Sequence, residues 1–586
     1  MAVSDPDLIS VQQVRDLVRR AVEAQQRFTA FSQAQVDAVL DAMAEAATRA
    51  AEPLARLAVE ETGYGNVPDK IKKNKFTSED VYRAIRPLRT VGVLREDREK
   101  GVVEMAVPVG VVAAIIPSTN PTSTAIYKIL ISLKARNGVI LSPHPSAKRC
   151  ICLAADILYK AALKAGAPEG IIGCLTQVTP ASTRELMRHR RVGVILATGG
   201  SGLVRAAYSS GKPAFGVGPG NVPAYIERTA NVRKAVADII TGKTFDHGTI
   251  CSAEQSIVVD EPVRDAVLQE LREQEAYFLN AAEIEALGAV MIRPDTFLVN
   301  PKAVGRAAPV LAEMAGFQVP PNTRVLIAEM GGVGREYPLS AEKLAPVLAF
   351  YTVGNCHEGV ELCNRILEFG GLGHTIAIHS QNETVIREFG QQVNAFRVVV
   401  NSPAPHGSIG YSTGLFPAMT LGCGAMGGNI TSDNIGPQHL MNIKRLGYET
   451  RPVEHTTAAR SRPRELAVPP PAPTPTALPM PERSTIARVV ERFLAQKGVP
   501  RAGETPRASA APPVAAPARS NPTPPPPPRV ADFVSESDVR TAMERAEKIF
   551  VSPRTILTPS ARDLGNAHGI FVETAAPAAA GVARLD

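Results

Sequence analysis

The sequence lacks the cysteine pattern of a stapled or metal-bearing fold. Its seven cysteines, at 150, 152, 174, 251, 356, 363 and 423, are odd in number and include no CxxC pair. No cysteine–histidine cluster has zinc-ligand spacing, so neither a disulfide frame nor a metal site is expected, and the cysteines read as reduced thiols in a cytosolic setting. An uninterrupted apolar run of membrane length is also missing, and the N-terminus carries acids and a helical period in place of a basic start and an apolar core. The expectation is a soluble, cytoplasmic protein without membrane contact. Tryptophan is absent and aromatics make up 5 %, which points to no particular substrate. The net charge is +7. Residues 451–586 hold 18 Lys+Arg against 13 Asp+Glu, a difference of +5, so residues 1–450 are nearly neutral. That basic tail is proline-rich without aromatic interleaving and reads as solvated linker, not as a nucleic-acid surface.

What the sequence does contain, over 586 residues, is an α/β rhythm with room for two or three domains. Residues 10–50 place apolar side chains at helical spacing and predict two amphipathic helices, and Gly63 or Gly65 ends a further helix in the left-handed conformation. The alternating run Thr90–Met105, broken by a charged stretch at 95–101, predicts a hairpin. Val109 to Pro117 is the continuous apolar run of a strand buried on both faces, and a helix follows from Thr122 to Leu133. Further strands are expected at Val139–Ser142, Ile171–Thr176, Val192–Thr198 and Ala224–Ile226, giving a doubly wound sheet whose ligand lies beyond the carboxyl ends of its strands. Those ends carry Ser142-Pro143-His144-Pro145 and Thr198-Gly199-Gly200-Ser201-Gly202. Glycines there would let a pyrophosphate approach a helix N-terminus, although a plain tight turn has the same composition and no strict GxGxxG is present. A second α/β pattern runs from Ser256 to about Leu421.

Between the two patterns stands Phe245-Asp246-His247-Gly248-Thr249-Ile250-Cys251-Ser252-Ala253-Glu254, just before the strand-like Ser256–Val259. A thiol at the mouth of a strand is a candidate nucleophile, while a lone cysteine is more often a buried structural residue. The company it keeps decides. The runs Val107–Val112, Ile116-Pro117-Ser118-Thr119-Asn120-Pro121, Leu141–Pro145, Gly216–Ile226, the Cys251 stretch and Gly371-Leu372-Gly373-His374-Thr375 together resemble the CoA-acylating branch of the aldehyde dehydrogenase superfamily, over about residues 10–450.

The resemblance implies the aldehyde dehydrogenase fold: a doubly wound cofactor domain, an α/β catalytic domain and an oligomerisation hairpin. It implies Cys251 as the nucleophile, Asn120 as an oxyanion donor, and Ser142, His144, Thr198, Gly199, Gly200, Ser201 and Glu342 as cofactor contacts. Taken alone, Asn120 before Pro121 could only start a turn, and Glu342 could be a surface helix carboxylate. Hydrolytic members keep a water-activating glutamate where this chain has Val217, so CoA is the implied acyl acceptor. The cofactor is NAD, with NADP left open because His144 stands where many relatives have a lysine. A short aldehyde is the implied substrate, and a homodimer or homotetramer the implied assembly. Two alternatives stay open, a hydrolytic dehydrogenase giving free acid and a non-catalytic shell-assembly protein.

The implied domains are 1–219 for the cofactor, 220–428 for the catalytic thiol and 429–450 for oligomerisation. Proline-rich linkers follow at 451–483 and 499–530. Between them, residues 484–498 place Ile486, Val489, Val490, Phe493 and Leu494 on one helical stripe, with Ser484 as N-cap and Gly498 after the end. So short a helix needs a partner. It resembles the encapsulation peptides of bacterial microcompartments, which would place the enzyme in a microcompartment lumen with a shell protein as partner, and self-docking is the alternative. Residues 531–586 form a small terminal module without an assigned role.

Overall fold

The computed structural model describes residues 5–453, 531, 533–552 and 555–573. The chain divides into two units, Met1–Thr456 and Thr457–Asp586. The stripe at 484–498 lies outside the described residues.

The first unit opens with helix Pro6–Phe28, whose Asp5 side chain accepts from the Asp7 and Leu8 amides and whose Val14, Val18, Ala21 and Phe28 are buried. Helix Gln33–Arg49 starts in a capping box between Ser32 and Gln35. Helix Ala51–Thr62 stops at Gly63, at φ 68°, which glycine takes without the Cβ clash. The expected hairpin is present as β1 (Val93–Asp97) and β2 (Val102–Pro108), paired antiparallel.

The first parallel sheet contains β3 (Val111–Ile116), β4 (Gly138–Pro143), β5 (Ile172–Cys174), β6 (Val192–Thr198) and β7 (Ala214–Val217). Its order is β5-β4-β3-β6-β7. The chain winds one way from β3 through β5 and then reverses to β6, so a crevice opens beyond the ends of β3 and β6. Every residue of β3 and β4 is buried, as a strand covered by helices on both faces requires. Helix Pro121–Lys134 between them is likewise buried along its whole length.

One expectation is corrected. The strand at Ala224–Ile226 is β8 (Val222–Ile226), and it belongs to a second sheet. The fifth strand of the first sheet is β7, four residues long with Gly216 inside it, too short and glycine-rich to read as a strand in the sequence. The second sheet adds β9 (Glu254–Asp260), β10 (Ala276–Phe278), β11 (Val325–Glu329), β12 (Val347–Val353), β13 (Ile376–His379) and β14 (Val398–Val400). It is parallel throughout, in the order β10-β11-β12-β9-β8-β13-β14. The β8–β9 register shifts at Val222/Pro223, where proline has no N–H to offer. β15 (Met441–Gly447) returns to pair with β2, so the hairpin and the end of the unit form one three-stranded antiparallel sheet.

The second unit is a small α/β module with its own apolar core of Val534, Val539, Ala542, Val551, Ala561 and Ile570. Strand Phe533–Val534 pairs parallel with Ile556–Leu557, and Ile549–Val551 pairs parallel with Phe571–Glu573. A helix follows the first strand of each half, Glu536–Glu544 and Pro559–Ala567.

Candidate active site

A cavity of about 690 Å3 opens at the reversal point of the first sheet. Its walls come from the ends of β3, β4, β6 and β7, from the segment 249–251, and from Glu342 and Leu344. The fold thus brings the strand ends of the first sheet together with loop residues that precede β9 and β12 of the second.

Cys251 stands half-buried in this cavity, three residues before β9. Burial and the nearby Glu342 push its thiol up to about 12, while Arg397 and its own backbone N–H pull the other way. At rest the Cys251 side chain is therefore a neutral thiol. The approach to it is backbone held against preference: Asp246 and His247 sit at φ 48° and 52°, a region non-glycine residues rarely occupy. The Asp246 carboxylate explains how this is held. One of its oxygens accepts from the Asn66 amide at 2.9 Å, and the other accepts from Lys70 at 2.9 Å, from Thr249 at 2.8 Å and from Lys73. Burial raises this carboxyl, but the ammonium groups of Lys73 and Lys70 outweigh it and keep its pKa below the usual range. A Cβ on Gly65 would lie 1.8 Å from Asp246 Oδ1, so only glycine fits there.

Asn120 occupies the cap position of helix Pro121–Lys134, yet its side chain makes no capping bond. Its Oδ1 accepts from Lys73 Nζ at 2.5 Å, and its Nδ2 donates to Thr119 Oγ1 at 3.2 Å and to the Thr249 carbonyl at 3.3 Å. The side chain is thus tied to the loop that carries Cys251.

Glu342 lies between the short turn Pro338–Ser340 and β12, not on a surface helix. Its Oε1 accepts from the Gly220 amide at 3.0 Å, and burial pushes its carboxyl up to about 7. Gly220 passes close against the backbone of Cys251. A Cβ there would lie 2.1 Å from the Cys251 carbonyl oxygen and 3.4 Å from the His374 ring. His374 is fully buried, its Nδ1 sits 2.9 Å from Thr375 Oγ1, and its Nε2 has no partner. Burial, with Arg397 nearby, lowers its pKa to about 3, so the imidazole is neutral. Val217 ends β7 in the cavity wall, 2 % exposed, and offers no carboxylate.

Of the expected cofactor contacts, Ser142, His144, Thr198, Gly199 and Gly200 line the cavity together with Glu342, Cys251 and Asn120. Ser201 does not; it is exposed at the start of helix Ser201–Tyr208. Ser142 Oγ pairs with Thr183 Oγ1 at 3.0 Å. His144 is exposed at the rim, with its Nδ1 accepting from the Ser146 amide at 3.2 Å. The residues fit a dinucleotide: the cavity is of ligand size, open space lies where a Gly200 Cβ would point, and the buried Thr198 hydroxyl has no partner. Sequence reasoning missed Lys73, Asp246 and His374 as parts of the site. It also missed Arg184 and Arg188, which line the cavity from helix Pro180–Arg188. For the arginines a signal existed, two cations four residues apart on one helix face, and Asp246 and His374 stand inside runs the sequence had already singled out; for Lys73 none did.

The chain is similar to known proteins over its first unit. The model of the "Aldehyde dehydrogenase family" matches residues 3–280. The bifunctional aldehyde-alcohol dehydrogenase AdhE of Escherichia coli K12 is 44 % identical over 440 residues, 74 % of this chain and 49 % of that protein. The chain thus spans about half the length of that curated relative. An acetylating aldehyde dehydrogenase structure from Geobacillus thermoglucosidasius is 51 % identical with a TM-score of 0.76, covering 77 % of this chain and 100 % of that one. A propionaldehyde dehydrogenase from the Clostridium phytofermentans fucose utilisation bacterial microcompartment is 30 % identical with a TM-score of 0.67, covering 74 % and 97 %. With a thiol and an asparagine converging at the crevice of a doubly wound sheet, and with likeness of this extent, the chain belongs to the aldehyde dehydrogenase family.

Proposed function

We propose that this chain is a CoA-acylating aldehyde dehydrogenase that converts a short aldehyde, acetaldehyde or propionaldehyde, with NAD and CoA to the acyl-CoA. The observation that carries the reading is Val217 in the wall of the cavity that holds Cys251. A valine cannot activate water, so an acyl group on Cys251 waits for an acceptor that is itself a good nucleophile.

Cys251 Sγ, once deprotonated, adds to the aldehyde carbonyl carbon and forms a thiohemiacetal. The oxygen takes up the charge and is held by Asn120 Nδ2 and the backbone N–H of Cys251. Bound NAD supplies the acceptor for the hydride that leaves this carbon. Thr198, Gly199 and Gly200 would hold its phosphates, Glu342 the nicotinamide ribose, and Ser142 and His144 the adenosine side. A thioester on Cys251 remains. The CoA thiol attacks it, its proton passes to the departing Cys251 thiolate, and acyl-CoA is formed with the resting Cys251 thiol restored.

The same reading divides the unit into a cofactor part at 1–219, a catalytic part at 220–428 and an oligomerisation part at 429–450. The sheet shared by β1, β2 and β15 supports pairing of subunits into a homodimer or homotetramer. Residues 484–498 would dock on a shell protein and carry the enzyme into a microcompartment lumen. Their amphipathic sequence and the microcompartment origin of one structural neighbour support this.

The test is NADH formation with acetaldehyde and propionaldehyde, each with and without CoA, with the product identified by mass spectrometry. NADH and acyl-CoA appearing only with CoA, and lost in Cys251→Ala, are expected. Free acid without CoA, or unchanged turnover in Cys251→Ala, refutes the reading.

A further inference from the structure

We propose that Lys73 is a positioning residue that fixes the orientation of the Asn120 amide, so that its N–H groups, and not its oxygen, face the reacting carbonyl. The proposal deepens the reading of Asn120 as the oxyanion donor and rests on it.

An asparagine amide has an oxygen and a nitrogen of nearly equal shape, and its two flipped forms differ only in what they offer their neighbours. An ammonium group donates and cannot accept. Lys73 Nζ lies 2.5 Å from Asn120 Oδ1, so the flipped amide would set N–H donors against a cation. In that flipped form the amide would also present its oxygen to the developing oxyanion, repelling the charge it is placed to hold. With Lys73 in place only one form is favourable, and in it Nδ2 reaches toward the Thr249 carbonyl at 3.3 Å, two residues before the nucleophile. A cation on the amide oxygen also polarises the group and strengthens its N–H donors.

Lys73 cannot leave this post. It is 2 % exposed, bonded to Asp246, and donates to Thr249 Oγ1 at 3.1 Å. Lys70, three residues earlier on the same face of helix Val67–Lys75, shares Asp246 and donates to the Thr119 carbonyl at 3.2 Å. The helix therefore grips both sides of the site, Thr119–Asn120 and Asp246–Thr249. This gives the left-handed backbone at Asp246 a purpose: it turns a buried carboxylate toward the two lysines that hold the asparagine.

The test is Lys73→Met, which keeps the length of the side chain and removes its donors. Turnover with CoA should fall on the order of 10- to 100-fold, with KM for aldehyde and CoA changed less than about 3-fold. In an Asn120→Ala background the same substitution should cost less than about 3-fold further, because its effect passes through that amide. Lys73→Met leaves the buried Lys70–Asp246 pair balanced one to one, so the fold should survive, and a melting curve run beside turnover checks this. A crystal structure of the variant supplies a readout independent of activity. The proposal is overturned by Asn120 keeping its rotamer and its contact to the Thr249 carbonyl there. Unchanged turnover in Lys73→Met, or an equal loss in the Asn120→Ala background, would also overturn it. Absence of acyl-CoA formation by the unaltered protein would instead strike the assignment of the reaction, and the crystal structure would still decide the role of Lys73.

Discussion

Val217→Glu is the substitution that bears most directly on what the acyl group meets. Val217 is 2 % exposed and lines the cavity. It pairs in register with Thr198, whose hydroxyl is buried without a partner. Paired residues of parallel strands present their side chains on the same face, so a carboxylate introduced here gains a ready donor in Thr198. The longer side chain can extend into a cavity of about 690 Å3, which keeps the overpacking cost near the low end of the usual range of about 1–3 kcal/mol. Burial would raise the new carboxyl toward the range of a general base at neutral pH. Such a base typically contributes about 10²–10⁴-fold to the step it assists. Free acid formed from aldehyde and NAD without CoA should accordingly rise by about 100-fold or more, measured by mass spectrometry beside a melting curve. If the variant folds, and intact-protein mass shows Cys251 acylated, yet free acid rises less than about 10-fold, then the missing carboxylate does not set the choice of acceptor.

Glu254 offers a test of the buried charges behind Cys251. It is fully buried, and burial pushes its carboxyl up to about 8 although the Ala404 amide donates to it at 2.6 Å. A carboxyl raised on folding contributes stability that is full below its unfolded pKa of about 4.3 and is lost as pH rises through the folded value. Glu254→Gln should therefore gain stability relative to the unaltered protein between pH 4.5 and 8, read by denaturant melts, and a constant difference across that window would refute the assignment. For the tail, residues 482–498 fused to a fluorescent protein should collect on co-expressed shell protein. Diffuse signal would favour docking on the enzyme itself.

The sequence by itself determined the type of several elements of the first unit. Val109–Pro117 could only be a strand covered on both faces, and the apolar stripes of residues 10–50 could only be helices with one buried side. Motif order also made Cys251, Asn120 and the family legible, since these depend on short runs of contiguous residues. The tertiary structure decided which distant residues meet. Asp246 lies 173 and 176 positions from Lys73 and Lys70 along the chain, and Lys73 lies 47 from Asn120. No period or spacing records such pairs, because they arise from how the helix Val67–Lys75 packs against two loops from different sheets. The membership of β8 in the second sheet and the setting of Glu342 in an irregular turn have the same origin. Local pattern fixes which surface of an element must be buried. Only the closed fold fixes what it is buried against, and there the buried lysines, the strained aspartate and the unpartnered histidine take their places around the thiol.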